Sequence, residues 1–363
     1  MLKFNDVCFE QKDANYESKD GITSMGLKKL GLTRWFVEQA RKISHPELRM
    51  ARVTEVYRGW YTIRNEDGEV PARTTGKFLH STESTSDMPC VGDWVCVYYQ
   101  DADNAATIHL TLPRKSFLRR KSVGKKIEFQ MIAANIDVAF IVQSCHYDFN
   151  VSRLERYLVM ANEGGVEPLL LLTKTDLVSD GQLERLIVEI REAGISIRII
   201  AISNVTGSGL DQLKDVMGYG KTYCIVGSSG VGKSTLINRL TGHDTLKTRT
   251  VHESGEGRHT TVRRQIIALD QGAMLIDTPG MREVGLLGVS GGMEDNFDDI
   301  QKASRGCRFS NCSHTSEPGC AILLAIEDGT MQQEHYQNYL KLKTESECNE
   351  ISYTARRKKM KKY

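Results

Sequence analysis

Apolar positions along this chain fall into four successive rhythms, and each predicts a different kind of structure. Over residues 27–43 they recur near helical spacing (Leu27, Leu30, Trp35, Val37, Ala40), which predicts a helix within a polar N-terminal extension, 1–48. From 49 to 112 the texture turns to short β-like runs at 51–57, 59–64 and 94–99, with Asp67-Gly68 marking a hairpin. From 136 onward strands and helices alternate. Strands are predicted at 137–142, 168–172, 195–202, 223–226, 262–269 and 273–276, and helices at 153–162, 182–193 and 236–240. The run 168–172 is strongly apolar, as a strand buried on both faces of a parallel sheet must be. After Gly292 the pattern is irregular, then helical over 321–328 and 332–343.

Five or so short strands within 49–112 suit a small barrel of the oligonucleotide-binding (OB) type, although strand spacing alone fits other small β-domains equally well. The alternation over 131–290 indicates a doubly wound α/β domain, and 291–363 forms a separate C-terminal region. Between barrel and sheet, 113–130 is a basic linker. It carries Arg114, Lys115, Arg119, Arg120, Lys121, Lys125 and Lys126 with no acidic residue before Glu128, suited to contacting phosphates or to lying solvated. The chain closes with Arg356-Arg357-Lys358-Lys359-Met360-Lys361-Lys362, a tail expected to be disordered alone and able to lie along phosphates.

Composition narrows the picture further. The 363 residues, 40% hydrophobic and 26% charged, have room for two or three domains with ordinary soluble chemistry. Net charge is only +2, so the placement of charge matters more than its sum. No stretch approaches the roughly 18 uninterrupted apolar residues of a membrane span, and residues 1–20 lack the apolar core of a signal peptide. Nine cysteines, an odd number and mostly scattered, argue against a disulfide framework and for a reducing cytoplasm.

The chemistry is concentrated in five short motifs. Gly227-Ser228-Ser229-Gly230-Val231-Gly232-Lys233-Ser234-Thr235 matches GxxxxGK[ST] between a predicted strand and helix. Its glycines let backbone N–H groups turn inward around a polyphosphate, Lys233 would bridge the β- and γ-phosphates, and Ser234 would coordinate Mg²⁺. Asp277-Thr278-Pro279-Gly280 ends another strand, where Asp277 would reach Mg²⁺ through water and the Gly280 amide would meet the γ-phosphate. Between them, Gly257-Arg258-His259-Thr260-Thr261 stands where a mobile loop bearing a Mg²⁺-binding threonine belongs. Thr261 is favoured over Thr260 for that role. Thr173-Lys174-Thr175-Asp176 follows the strand 168–172, and the Asp176 carboxylate would accept from guanine N1–H and the exocyclic amine. Ser203-Asn204 would bring backbone amides to guanine O6. The order is rotated: in an ordinary GTPase the phosphate loop comes first, and here the base-reading loop precedes it.

A fourth region carries different chemistry. Cys307-x₄-Cys312-x-His314-x₅-Cys320 puts three thiols and one imidazole within fourteen residues. Three thiolates and a histidine complete a tetrahedral zinc site with no position left for water, which means a structural zinc.

The order TKTD, ISN, GSSGVGKST, RHTT, DTPG resembles the circularly permuted GTPases, specifically the RsgA/YjeQ group of bacterial small-subunit ribosome-assembly GTPases. The resemblance covers nearly the whole chain. It implies an OB-type barrel, a circularly permuted P-loop GTPase domain and a zinc-binding, mostly helical C-terminal region. It also implies GTP and GDP with Mg²⁺, hydrolysis stimulated by the 30S subunit, contact with 16S rRNA and action late in 30S maturation. Nothing in the sequence points to a dimer surface, so a cytoplasmic monomer is expected. One departure stands out. The family's guanine motif starts with Asn, which ties the base loop to the phosphate loop; Thr173 in its place is expected to lower guanine affinity. Catalysis is expected to be slow alone. Met281 occupies the position after Gly280 where Ras-like enzymes orient water with glutamine, leaving His259 or the partner to do so. Within the barrel, Trp60 beside Arg58 has the better claim to RNA, and Trp94 to the core.

Overall fold

The computed structural model describes residues 25–360 apart from 44, 46, 58, 83, 101–103, 123–127, 243–263 and 279–289; for 25, 290–291 and 350–360 it describes the backbone alone. Two short helices, α1 (Met25–Lys29) and α2 (Arg34–Arg41), stand where one was expected. The break falls at Gly31, whose φ of +81° suits glycine, and a Cβ there would lie 2.9 Å from the Gly220 carbonyl. Leu27, Leu30, Phe36 and Val37 on these helices pack against the buried Trp94.

Five strands follow: β1 (Arg49–Tyr57), β2 (Trp60–Arg64), β3 (Glu69–Thr74), then helix α3 (Gly76–Ser81), β4 (Trp94–Gln100) and β5 (Ala105–Thr111). They pair in the order β1-β2-β3-β5-β4, and β4 returns to β1, with β3 and β5 parallel. The barrel is therefore closed, which removes its edges and leaves the interior to small and branched residues such as Ala51, Val53, Ile63, Val95 and Ile108. Trp94 is fully buried and Trp60 is 49% exposed.

The segment expected to be a linker is largely folded. Strands β6 (Phe117–Lys121) and β7 (Phe129–Ala134) make an antiparallel hairpin. Arg114 forks onto the buried Asp93, with both contacts at 2.8 Å, and Arg119 reaches Glu163 at 3.3 Å. Part of the basic run thus neutralises the protein's own carboxylates.

The α/β domain runs β8 (Val138–Ser144), α4 (Val151–Glu163), β9 (Glu167–Thr173), α5 (Asp180–Glu192), β10 (Ile199–Ala201), α6 (Leu210–Asp215), β11 (Thr222–Gly227), α7 (Lys233–Thr241), β12 (Arg264–Ala268) and β13 (Met274–Asp277). Its sheet order is β10-β9-β8-β11-β13-β12, parallel except for the edge strand β12. That edge does not stay open. β12 pairs antiparallel with β1 of the barrel at Glu55↔Gln265 and Val56↔Arg264, so barrel and domain share one continuous sheet. Arg52 reinforces the junction. It is 1% exposed, and its guanidinium donates to the carbonyls of Leu30, Gly92 and Asn135 and, at 2.9 Å, to Thr222 Oγ1. Burial pulls its pKa down to about 10, offset in part by Asp137 and Asp93.

The C-terminal region holds α8 (Ser290–Asn296), α9 (Asp298–Ser304), α10 (Ala321–Glu327) and α11 (Gln333–Met360). The last helix runs far past the predicted 332–343, and its backbone includes part of the tail expected to be disordered. Its first turns are pinned to α4, and once a helix is nucleated each further residue adds a backbone hydrogen bond. The pin is an ionic one: His335 Nδ1 meets Glu155 at 2.5 Å, its Nε2 meets Asp299 at 3.2 Å, and Asn338 donates to Glu155.

Candidate nucleotide site and zinc centre

The phosphate loop forms because β11 ends in a glycine that nothing else can replace. Gly227 has φ +151°, and a Cβ on it would lie 2.4 Å from the Val142 carbonyl of the neighbouring strand. Gly232, at φ +96°, caps α7 and turns the chain so that Lys233 and the exposed Ser234 open its first turn. Lys233 Nζ folds back and donates to the Gly227 carbonyl at 2.8 Å and to that of Ser228. Burial lowers its pKa to about 8, with Asp277 countering in part. Asp277 ends β13, opposite Ile225 in register, and burial raises its carboxyl to about 6 against the pull of Lys233. The two feel each other's charge, and a bound Mg²⁺-polyphosphate would add opposite charge for each. Ser228 and Val231 are buried, Ser229 and Gly230 exposed, and Thr235 half-buried.

The base side is built from the ends of β9 and β10. Lys174 takes the left-handed conformation (φ +61°) that turns the chain into a short 3₁₀ segment and leaves Asp176 exposed. Ser203 Oγ donates to Asp176 Oδ1 at 2.5 Å while accepting from the amides of Val205 and Thr206. The Ser203 amide expected to face the base instead donates to the Ser208 carbonyl at 3.0 Å.

Thr173 behaves differently from the loosening expected of it. Its hydroxyl donates to the Val231 carbonyl at 2.6 Å, so the hydroxyl restores a tie between base loop and phosphate loop. Asn204 adds a second: its Nδ2 donates to the Gly232 carbonyl at 3.1 Å, and Arg239 of α7 holds the Asn204 carbonyl at 2.9 Å. The Asn204 side chain was not read from sequence, where only its amide was assigned a role, because no local pattern marks a contact between residues this far apart. His259, Thr260, Thr261, Gly280 and Met281 lie outside the described residues.

The structure brings all four predicted zinc ligands together. The ligand atoms of Cys307, Cys312, His314 and Cys320 lie within 4.8 Å of one another. His314 Nδ1 is 3.4 Å from Cys307 Sγ and 3.5 Å from Cys320 Sγ, and those two sulfurs are 4.0 Å apart. These separations approach the edges of a tetrahedron with zinc bonds of about 2.0–2.3 Å, so the donor set fits zinc. Glu317, not singled out in the sequence, shapes the loop. It accepts from Ser313 Oγ and from the amides of Ser313, Thr315 and Ser316, which holds its carboxyl down at about 2.

With this geometry in place, comparison with known proteins is decisive. A sequence model of the RsgA GTPase family matches residues 111–287. The chain is 43% identical to the small ribosomal subunit biogenesis GTPase RsgA 2 of Lactiplantibacillus plantarum, covering 82% of this chain and 83% of that one. It is 40% identical to the RsgA 2 of Listeria monocytogenes, covering 92% and 91%. The chain belongs to the RsgA GTPase family. Among solved structures, YjeQ from Thermotoga maritima superposes with a TM-score of 0.61 at 26% identity, over 81% of this chain and 97% of that one. YloQ, a circularly permuted GTPase, shares the fold with a TM-score of 0.56 at 24% identity, over 85% and 98%.

RsgA-family membership makes the chain a P-loop GTP hydrolase with GTP and Mg²⁺ as its ligands. The rotated motif order costs the site nothing, because β9, β10, β11 and β13 still present their C-terminal ends to one crevice. No helix among the described residues is long and apolar enough to cross a membrane.

Proposed function

We propose that this GTPase binds Mg²⁺-GTP, docks on the maturing 30S subunit through 16S rRNA, and hydrolyses GTP there far faster than it does alone. Ser234 and Thr261 would hold the Mg²⁺, with Asp277 acting through water, while Asp176 selects guanine. Relaxation of the segment carrying Gly257-Arg258-His259-Thr260-Thr261 would then weaken docking. The observation that carries this reading is the clamped phosphate loop beside Asp277, in a chain whose relatives are named small ribosomal subunit biogenesis GTPases. Met281, in place of a water-orienting glutamine, leaves room for the subunit to complete the catalytic arrangement, with His259 the chain's own candidate.

On the RNA side, exposed Trp60 of β2 lies under the Arg73 guanidinium of β3, 3.5 Å from the ring centroid, a stacked pair with the chemistry to take a base. The structural zinc would brace the C-terminal region. Free cysteines throughout the described residues suit a protein working in the cytoplasm, where we take it to act as a monomer.

The test is GTP turnover by the purified protein with and without 30S subunits at matched salt. A large stimulation, lost in Lys233→Ala, is expected. Tight GTP binding without stimulation overturns the ribosome-triggered mechanism.

A further inference from the structure

A cavity of about 420 Å³ lies where the barrel, the β6–β7 hairpin and the edge strand β12 meet. None of the nucleotide motifs contributes to its wall. Two guanidinium groups do: Arg120 from β6 and Arg264 from β12, joined by the polar side chains of Thr85, Ser122 and Gln130 and by the Glu128 carboxylate. Arg264 makes one hydrogen bond, Nη1 to the Met131 carbonyl at 2.7 Å, and no ion pair among the described residues, Glu128 included. Arg120 Nε donates to Gln130 Oε1 at 3.1 Å, and the Arg120 charge works against that of Arg264, as does burial.

A half-enclosed cavity lined by two arginines and one glutamate, with no ion pair to Arg264 among the described residues, is an arrangement completed by an anion. Guanidinium forks match the oxygens of a phosphate and gain strength away from bulk water. The volume exceeds what one phosphate needs and falls within the range of small-molecule sites, so it has room for an attached sugar and base. Position adds to the case. Arg264 is the first residue of β12, is paired with Val56 of the barrel, and directly follows the span 243–263 that carries the RHTT motif.

We propose that this cavity is a phosphate-binding site distinct from the nucleotide site, taking a phosphate group of an RNA backbone or a free phosphate anion. The bound group bridges the hairpin and the first residue of β12, and so helps hold the barrel against the GTPase sheet. The inference does not depend on the proposed action at the 30S subunit.

The experiment is calorimetric titration of the full chain, its nucleotide site saturated with Mg²⁺ and a β,γ-imido analogue of GTP. The two probes are inorganic phosphate and the dinucleotide pUpU. Saturable binding is expected, weakened at least roughly tenfold in Arg264→Gln, while affinity for the GTP analogue stays unchanged. Binding of pUpU well above that of inorganic phosphate assigns the site to an RNA backbone; equal affinities assign it to a free anion. Should Arg264→Gln also lose the GTP analogue, Arg120→Gln gives the same reading on a folded protein. No saturable binding of either probe, or binding unaffected by both substitutions, overturns the proposal.

Discussion

The Thr173 hydroxyl donates to the main-chain carbonyl of Val231 at 2.6 Å, joining the end of β9 to the phosphate loop. Asn204, just past the end of β10, grips the very next carbonyl, that of Gly232. Two base-side loops therefore hold consecutive peptide groups of the loop that must cradle phosphate, and ordering them in advance lowers the cost of binding.

Thr173→Ala and Asn204→Ala should each weaken GTP binding by about threefold to tenfold, the scale of one hydrogen bond. Because the two ties share one loop, their effects should not add independently in the double variant. Titration with a fluorescent GTP analogue measures all three. An unaltered affinity in the double variant would remove the clamp from the account.

Charge at the phosphate loop predicts a pH profile. Binding of Mg²⁺-GTP calls for ionised Asp277 and protonated Lys233. Asp277 titrates high, at about 6, and Lys233 low, at about 8. Affinity should therefore fall as pH drops through about 6 and again as it rises through about 8, with a maximum between. The nucleotide's own ionisations persist in Asp277→Asn, so the difference between the two profiles isolates the acid limb. Superimposable profile shapes would show that Asp277 does not titrate there.

Zinc analysis should find one ion per chain, retained in Glu317→Ala with weaker affinity and lost in Cys312→Ala. Removing the metal should lower the melting temperature through the C-terminal region while leaving GTP binding in place, since no residue of the phosphate loop is among its ligands. Protein purified without metal supplementation and free of zinc at full stability would refute the assignment.

His335 predicts an alkaline loss of stability. Burial opposes its charge, but Asp299 and Glu155 outweigh burial and raise its pKa from an ordinary 6.5 to about 9. A raised folded value stabilises fully below pH 6.5 and is lost as pH climbs through about 9. His335→Gln leaves Glu155, whose side chain is 2% exposed, without its cation, at a cost of about 3–5 kcal/mol. Urea unfolding at neutral pH and at about pH 10 tests both statements. The gap between variant and parent should narrow at high pH.

Arg52→Met should destabilise by at least roughly 3 kcal/mol, because it strands several buried acceptors at once. Its carbonyl partners at Leu30, Gly92 and Asn135 belong to three different segments, so the barrel and GTPase sheet should also lose cooperativity in unfolding. A single transition at the parent's midpoint would contradict this role for Arg52.

What the amino-acid sequence determined by itself is the local chemistry. The motifs at Gly227 to Thr235, Asp277 to Gly280 and Thr173 to Asp176, and the Cys307–Cys320 ligand set, could be picked out because each is short in sequence. Its backbone conformation and side-chain types create the site with few distant partners. The strands of the doubly wound sheet were legible for a similar reason, since burial on both faces demands unbroken apolar runs such as 168–172.

Tertiary structure alone decided the rest. Arg114 and Arg119 read as phosphate-contacting or solvated charge until Asp93 and Glu163 are seen beside them. Thr173 reads as a lost contact until Val231 is placed opposite its hydroxyl. The helix predicted over 27–43 breaks at Gly31, where φ is +81° and a Cβ would meet Gly220 and Arg52, and α11 is anchored by a histidine whose acids lie on α4 and α9. Periodicity reports which face of an element is buried, because that depends on neighbours three or four positions away. It carries no record of which distant carboxylate or carbonyl will meet a given donor, and that pairing decides whether a polar residue is surface, core or clamp.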